Sequence, residues 1–391
     1  MLWIDDILNA TDCLQNARQT NRKIDIVMKQ RGLSLNRDKS LFLVMCSKKD
    51  AKEATKELEK YPLMCGEFET KQTKEYKWLG QILSSQGLAD SVFKTVASRE
   101  GKIRGACMEI AVIINDWRCN KAGGMATALM LWETCCISSM LHGAGTWVEV
   151  DTATVKQLNK IQNWYLRLIL QVGPGTPSSS LRWDGKVLDM SLRIYREKLM
   201  MVLHVRSLDK ETLAYRVYKQ QLEEKWPGLA SETKQICEKL CVEDCNTTNM
   251  NRNKYRQLVT EACHEENKKL LRSAATPVKC SRILKEEYGK QSYIVESTIE
   301  DSRKWFKSRF GLQAFAGNFS HDRRFAKTDW LCRCKISIED EGHIVSGQCP
   351  VYGGLRTQFG DLGEDRNLVA YFTAVLDRRE ELEEEDRTRQ S

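Results

Sequence analysis

From Leu88 onward the chain offers few places to break a helix, and this constrains its fold more than any other feature. Pro and Gly, which end helices or turn the chain, gather at Gly123-Gly124, at Gly173-Pro174-Gly175-Thr176-Pro177 and at Trp226-Pro227-Gly228. Segment boundaries are expected there. Between them, Ile161, Trp164, Tyr165, Leu168 and Ile169 fall on one helical face, and Leu192, Tyr195, Leu199, Val202 and Leu203 on another. Both stripes are expected to face a core. No repeat of 20 to 50 residues is evident, and 391 residues suffice for two or three domains.

The stretch before Leu88 mixes periods. Leu14, Ala17, Ile24, Val27 and Met28 recur at helical spacing and stop at Gly32, a candidate left-handed C-cap. Leu33 and Leu35 alternate with Ser34 and Asn36 as in a strand. Leu41 to Met45 forms a second β-type run after a polar turn at Asn36-Arg37-Asp38-Lys39. Asp50 is positioned to cap a charged helix through Lys60, ended by Pro62, before Phe68 and the segment Tyr76 to Leu83 return to strand character. The expected fold class is α+β, with short antiparallel strands plus helices followed by a mainly α-helical region.

Net charge of +8 and a pI near 8.7 permit a polyanionic partner without requiring one. Fifteen cysteines are an odd set. Without a secretory signal they read as thiols and metal ligands of a reducing compartment, nuclear or cytoplasmic. The most apolar stretch, Ala126 to Trp147, carries Glu133, Thr134, Ser138, Ser139 and His142, which favours a buried helix over a membrane span. No targeting segment is recognisable at the N-terminus, and no membrane partner is expected.

Three short strings carry the chemistry. Trp3-Ile4-Asp5-Asp6 places two adjacent carboxylates after an apolar residue, the oxygen ligands that Mg²⁺ takes when it bridges substrate phosphates. Gly32-Leu33-Ser34-Leu35-Asn36-Arg37-Asp38-Lys39-Ser40 follows, and then Glu75-Tyr76-Lys77-Trp78-Leu79-Gly80. In order and separation the three resemble palm motifs of the reverse transcriptases of non-LTR retrotransposons, the long interspersed elements. Those motifs are an aromatic-x-Asp-Asp hairpin, a Gly-Leu-x-x-Asn-x-x-Lys-Ser/Thr segment and an x-Leu-Gly hairpin. Leu141-His142-Gly143-Ala144-Gly145-Thr146-Trp147 resembles the family's string after the thumb helices, and Thr176-Pro177 with a helix near Met190 fits the same region.

The resemblance implies a nucleotidyltransferase, an RNA-directed DNA polymerase acting on an RNA template and a DNA primer. Asp5 would hold Mg²⁺ with Asp6 contributing less directly, and Lys39 would neutralise or protonate the leaving pyrophosphate. Tyr76, Trp78, Leu79 and Gly80 would seat the primer end. The family's earlier Asp-bearing strand and nucleotide-binding motif are expected before Met1, and Trp3 and Ile4 are bulkier than the family's usual residues. The polypeptide alone is therefore expected to be inactive, a remnant of the full enzyme. Its implied segments are a partial palm (1–87), a thumb-like region (88–172), a helical segment (173–328), a zinc-knuckle-like element (329–356) and a helix with a charged tail (357–391). The alternatives are a non-catalytic RNA-binding protein and a decayed reading frame.

A second site is written in Cys332-Arg333-Cys334, His343 and Cys349. Three thiolates and an imidazole form a tetrahedral Zn²⁺ set with the short spacing of a knuckle; the competing expectation is free thiols in a small buried hairpin. The set also resembles the Cys/His element near the end of these retrotransposon proteins, although one residue between the first two cysteines makes the turn cramped. Before it, Arg303, Lys304, Lys307, Arg309, Arg323, Arg324 and Lys327 interleave with Trp305, Phe306, Phe310, Phe319 and Phe325. Cations for phosphates beside rings for bases suit single-stranded RNA; the competing expectation turns Phe306 and Phe310 to a core and Arg303 and Lys307 to water. Cys237, Cys241 and Cys245 repeat every fourth residue, as packing groups on one helix.

Overall fold

The computed structural model describes residues 2–3, 6–7, 9–45, 48–116, 121–274, 287–313, 315, 331–362 and 365–390, with residues 2–3, 6–7, 48–49, 365–366 and 390 in backbone only. The chain forms two compact units, Met1–Ser98 with Trp147–Thr154, and Arg99–Thr146 with Val155–Ser391. Helices dominate and the strands are few and short, which is consistent with an α+β class.

In the first unit β1 (Leu2–Trp3) pairs antiparallel with β2 (Asp6–Ile7), Trp3 opposite Asp6. Helix α1 (Leu14–Gln30) then stops as its sequence requires. Gly32, at φ 68°, donates to the Lys29 carbonyl at 3.0 Å, and Leu33 donates to that of Met28 at 2.9 Å. This pair of bonds is a Schellman cap, built on the one residue without a Cβ penalty at positive φ. The expected strand at Leu33–Leu35 does not form. It lies between that cap and an Asx turn in which Asn36 Oδ1 accepts from the amides of Asp38 (3.0 Å) and Lys39 (3.2 Å), and no strand among the described residues pairs with it. The run from Leu41 shortens to β3 (Leu41–Phe42).

Helix α2 (Lys48–Lys60) ends before Pro62, with Asp50 in its first turn and not at its cap. Strands β4 (Met64–Cys65) and β5 (Phe68–Glu69) make a hairpin, and β6 (Lys71–Gln72) pairs in parallel with β3. Strands β7 (Glu75–Trp78) and β8 (Gln81–Ser84) form the longest described hairpin. The free edge of β8 is covered by α3 (Leu88–Asn115): Ile82 N donates to Thr95 Oγ1 at 2.8 Å and Ser84 N to Ser91 Oγ at 2.9 Å. Four separate two-stranded pairs result among the described residues, with no continuous sheet. The apolar side chains of α1 find little cover. None of its residues is buried, and Ile26 and Val27 are exposed, as is Leu33 just beyond its end.

The second unit is helical. Helix α4 (Gly124–Leu131) runs into a π-helical turn over Trp132–Ile137 and then α5 (Ser138–Met140), so the apolar stretch is helical through Met140 but only one face is buried: Ala128, Trp132, Cys136 and Met140 are inside, whereas Met130, Glu133 and Ser138 are exposed. Trp132 stacks on Tyr165 of α6 (Thr152–Leu170), centroids 4.7 Å apart, and the Tyr165 hydroxyl donates to the Ala128 carbonyl at 2.7 Å. Helices α7 (Ser178–Trp183) and α8 (Met190–Arg206) follow the Gly173–Pro177 loop. With α9 (Leu213–Glu223), α10 (Leu229–Leu240) and α11 (Arg252–Ala274), α8 encloses a core of Leu192, Leu199, Val202, Ile236, Tyr255 and Val259. Tyr195 and Leu203 pack partly buried against it.

Helix α10 stops at Leu240, where Cys241 takes φ 52°, so Cys237, Cys241 and Cys245 do not share one helix. Helices α12 (Ser292–Glu296), α13 (Ile299–Phe310), α14 (Glu341–Val345), α15 (Gly353–Arg356) and α16 (Asp365–Gln390) complete the unit. The mixed-charge run Arg378–Arg389 belongs to α16, held by pairs such as Arg378–Glu381 (2.8 Å) and Arg379–Glu383 (3.2 Å). Among the described residues no helix is long and apolar enough to cross a membrane.

Candidate functional site

Cys332, Cys334, His343 and Cys349 converge, their ligand atoms all within 4.8 Å of one another. The one-residue spacing that looked cramped is accommodated by a tight reversal. Leu331 bridges to Ile338, Cys332 N donates to Ser337 O at 2.9 Å, and Lys335 N donates to Cys332 O at 2.7 Å with Lys335 itself at φ 61°. The reversal also brings Ile336 N to 3.4 Å from Cys334 Sγ. Asp340 then caps α14 by accepting from His343 N at 2.8 Å, which sets the imidazole in the first helical turn.

His343 Nε2 lies 3.2 Å from Cys334 Sγ, and Cys332 Sγ lies 3.5 Å from Cys349 Sγ. Sulfur and nitrogen ligands bound tetrahedrally at about 2.0–2.3 Å would stand roughly 3.5–3.8 Å apart. These two separations fall within about 0.3 Å of that spacing, and the remaining pairs lie within 4.8 Å, so the four side chains need to draw in by at most about 1 Å to hold one ion. Burial pushes the Cys332 thiol up. Burial pushes Cys334 up as well, but the Ile336 amide, the Cys332 side chain and the Ser337 amide outweigh it and leave that thiol below its ordinary value.

A second layer fixes this cluster. Glu339, 3% exposed, accepts from the Tyr352 hydroxyl at 3.3 Å and pairs with Arg379 of α16 at 3.1 Å. Arg333, between the two cysteines, pairs with Asp386 at 2.9 Å, and the Tyr371 hydroxyl donates to the Ile344 carbonyl at 2.9 Å. Sequence reasoning missed Asp340 and Glu339. The first was readable as an Asp three residues before a helical His; the second is recognisable only once α16 lies beside it.

Asp6 is on β2, paired with Trp3, and Ile4 and Asp5 between the paired residues lie outside the described residues. Lys39 is exposed, its amide on the Asn36 side chain. Tyr76 and Trp78 are half-buried on β7, and Leu79 and Gly80 form the tip of the β7–β8 hairpin at φ 46° and 77°. Two successive positive φ angles are those of a type I′ turn, in which Gly is expected and Leu is strained. Trp147 Nε1 donates to Gln81 Oε1 at 2.9 Å, at the base of this tip.

The basic and aromatic face is reorganised. Trp305, Phe306 and Phe310 are buried as the core expectation had it, but Arg303 is buried with them, 6% exposed. Its guanidinium donates to the Ile169 carbonyl at 2.8 Å and to Asn115 Oδ1 at 2.6 Å, so this charge binds helix ends inside the unit and is not presented to a phosphate. Arg309 is likewise inside, pairing with Asp184 at 2.7 Å. Lys307 is half-buried, and burial together with the Arg303 charge lowers its pKa. Arg323 and Arg324 lie outside the described residues.

No family model, curated protein or solved structure matches the chain.

Proposed function

We propose that the chain is a portion of the reverse transcriptase of a non-LTR retrotransposon, bearing a zinc knuckle and elements that hold an RNA template and a DNA primer. The observation that carries the reading is the convergence of Cys332, Cys334, His343 and Cys349 into one ligand set, downstream of three strings that follow the family's order. The knuckle fills all four tetrahedral positions from the chain, so the zinc is structural and leaves no open position for a substrate. Leu79 and Gly80 at a strained hairpin tip suit a primer contact, since strain of this kind persists where function requires it.

Asp5 and Asp6 are the Mg²⁺ ligands in this reading, and Lys39 is the cation for the departing pyrophosphate. For in-line transfer through two metal ions, the resemblance implies a further carboxylate from an earlier strand. The uncovered apolar residues Ile26, Val27 and Leu33 fit a palm segment that packs on such strands. RNA binding through α13 alone has less support, because Arg303, Arg309, Trp305, Phe306 and Phe310 are inside the fold.

The test is binding of an RNA–DNA primer-template hybrid, followed by fluorescence anisotropy. Affinity is expected to fall about tenfold or more over a few-fold rise in salt, and Gly80→Val is expected to weaken it several-fold. No binding, or binding indifferent to salt, would contradict the reading. Primer extension with Mg²⁺ by this polypeptide alone is expected to be absent; extension abolished by Asp5→Ala would overturn that part.

A further inference from the structure

A second set of metal-ligating side chains lies at the end of α10, in the same unit as the knuckle and built from different residues. Cys237 is in the last turns of that helix. Cys241, at φ 52°, turns the chain so that Cys245 N comes to 3.5 Å from Cys237 Sγ. The loop is fixed independently of any ligand. Val242 N donates to Cys237 O at 3.0 Å, Thr247 and Thr248 amides donate to Asp244 O at 3.1 and 2.9 Å, and Arg206 Nη1 donates to the carbonyls of Cys245 (2.6 Å) and Thr248 (3.0 Å).

We propose that Cys237, Asp244 and Cys245 bind a thiophilic divalent cation of the zinc class. Their three ligand atoms lie within 4.8 Å of one another, with Cys237 2% and Cys245 0% exposed. Asp244 accepts from the Asn246 amide (2.9 Å) and side chain (2.6 Å) on Oδ1, while Oδ2 carries no hydrogen bond among the described residues. The Tyr255 hydroxyl donates to Glu243 O at 2.7 Å and sits 3.4 Å from Cys237 Sγ, so its oxygen borders the site.

Buried thiols that only pack need no carboxylate beside them. Two sulfurs and one oxygen form a donor set that zinc accepts and that Mg²⁺ or Ca²⁺, which prefer all-oxygen sites, does not. Binding would release the two thiol protons. Two thiolates and a carboxylate around a divalent ion leave one surplus negative charge, and the guanidinium of Arg206, which reaches from the end of α8 to the loop carbonyls of Cys245 and Thr248, offsets it.

The experiment is zinc content by mass spectrometry of the full chain, equilibrated with zinc and freed of loosely held metal. Wild type is expected to hold two zinc ions, Cys245→Ser one, Cys349→Ser one, and the double variant none. A wild type holding one ion that Cys349→Ser removes and Cys245→Ser keeps would overturn the proposal while leaving the knuckle intact. Failure of the knuckle gives the opposite pattern, one ion removed by Cys245→Ser alone. Should Cys245→Ser not fold, Asp244→Asn keeps both core sulfurs and is expected to weaken one of two zinc affinities at least tenfold in a chelator competition. Two unchanged affinities would overturn the proposal equally.

Discussion

Leu79 occupies a backbone conformation that its side chain disfavours, at φ 46° in a two-residue turn. Asn tolerates this region, and Asn-Gly is the preferred pair for such a turn. Leu79→Asn is therefore expected to stabilise the chain by roughly 1 kcal/mol, read as a rise in the urea midpoint. If the tip touches the primer, the same variant binds the hybrid more weakly, so stability and affinity move in opposite directions. His264 gives a pH signature. Burial, with smaller contributions from Lys186, Arg193 and Arg196, pulls it down to about 4, while its ring contacts the Tyr288 hydroxyl at 3.2 Å. The folded state favours the neutral ring, so this contribution is complete above about pH 6.5 and is lost as pH falls from there towards 4. Urea unfolding at pH 7 and pH 5 should show a larger loss for wild type than for His264→Gln; equal losses would contradict the assignment.

Among elements, α7, α12 and α13 are joined through one buried carboxylate. Asp184, 1% exposed, takes Arg309 Nε at 2.7 Å and Nη2 at 3.2 Å on its two oxygens, and the Tyr293 hydroxyl at 2.8 Å. Removing it leaves a buried guanidinium uncompensated, so Asp184→Ala is expected to cost about 3–5 kcal/mol in denaturant unfolding. A loss below about 1 kcal/mol would mean that the pair is open to water. The elements that local sequence decides were legible: the Schellman end at Gly32, the Asn36 turn, the β7–β8 hairpin and the helix ends at the Pro and Gly clusters. The strand expected at Leu33–Leu35 failed because a strand needs a neighbour, which alternation within four residues does not encode. Arg303 was misjudged for a related reason: its partners Ile169 and Asn115 are 134 and 188 residues away, beyond the reach of any helical pattern. The cluster of Cys332, Cys334, His343 and Cys349 was legible from residue type and order, whereas the reversal at Lys335 that lets Cys332 and Cys334 converge was not.

At the scale of the whole molecule, the segment that carries the Cys332, Cys334, His343 and Cys349 cluster is tied to α16 by Arg333–Asp386, Glu339–Arg379 and Tyr371–Ile344. A metal bound to that cluster would therefore also hold the last long helix. Zinc removal by a chelator is expected to lower helical content and raise protease cleavage within 365–390, with recovery when zinc is restored. Unchanged cleavage would separate α16 from the metal. The central claim is that Cys332, Cys334, His343 and Cys349 close on one zinc ion, and X-ray absorption at the zinc edge tests it most directly in the Cys245→Ser variant. The predicted first shell is three sulfurs at about 2.3 Å and one nitrogen at about 2.0–2.1 Å. A shell dominated by oxygen, or no retained zinc, would contradict it.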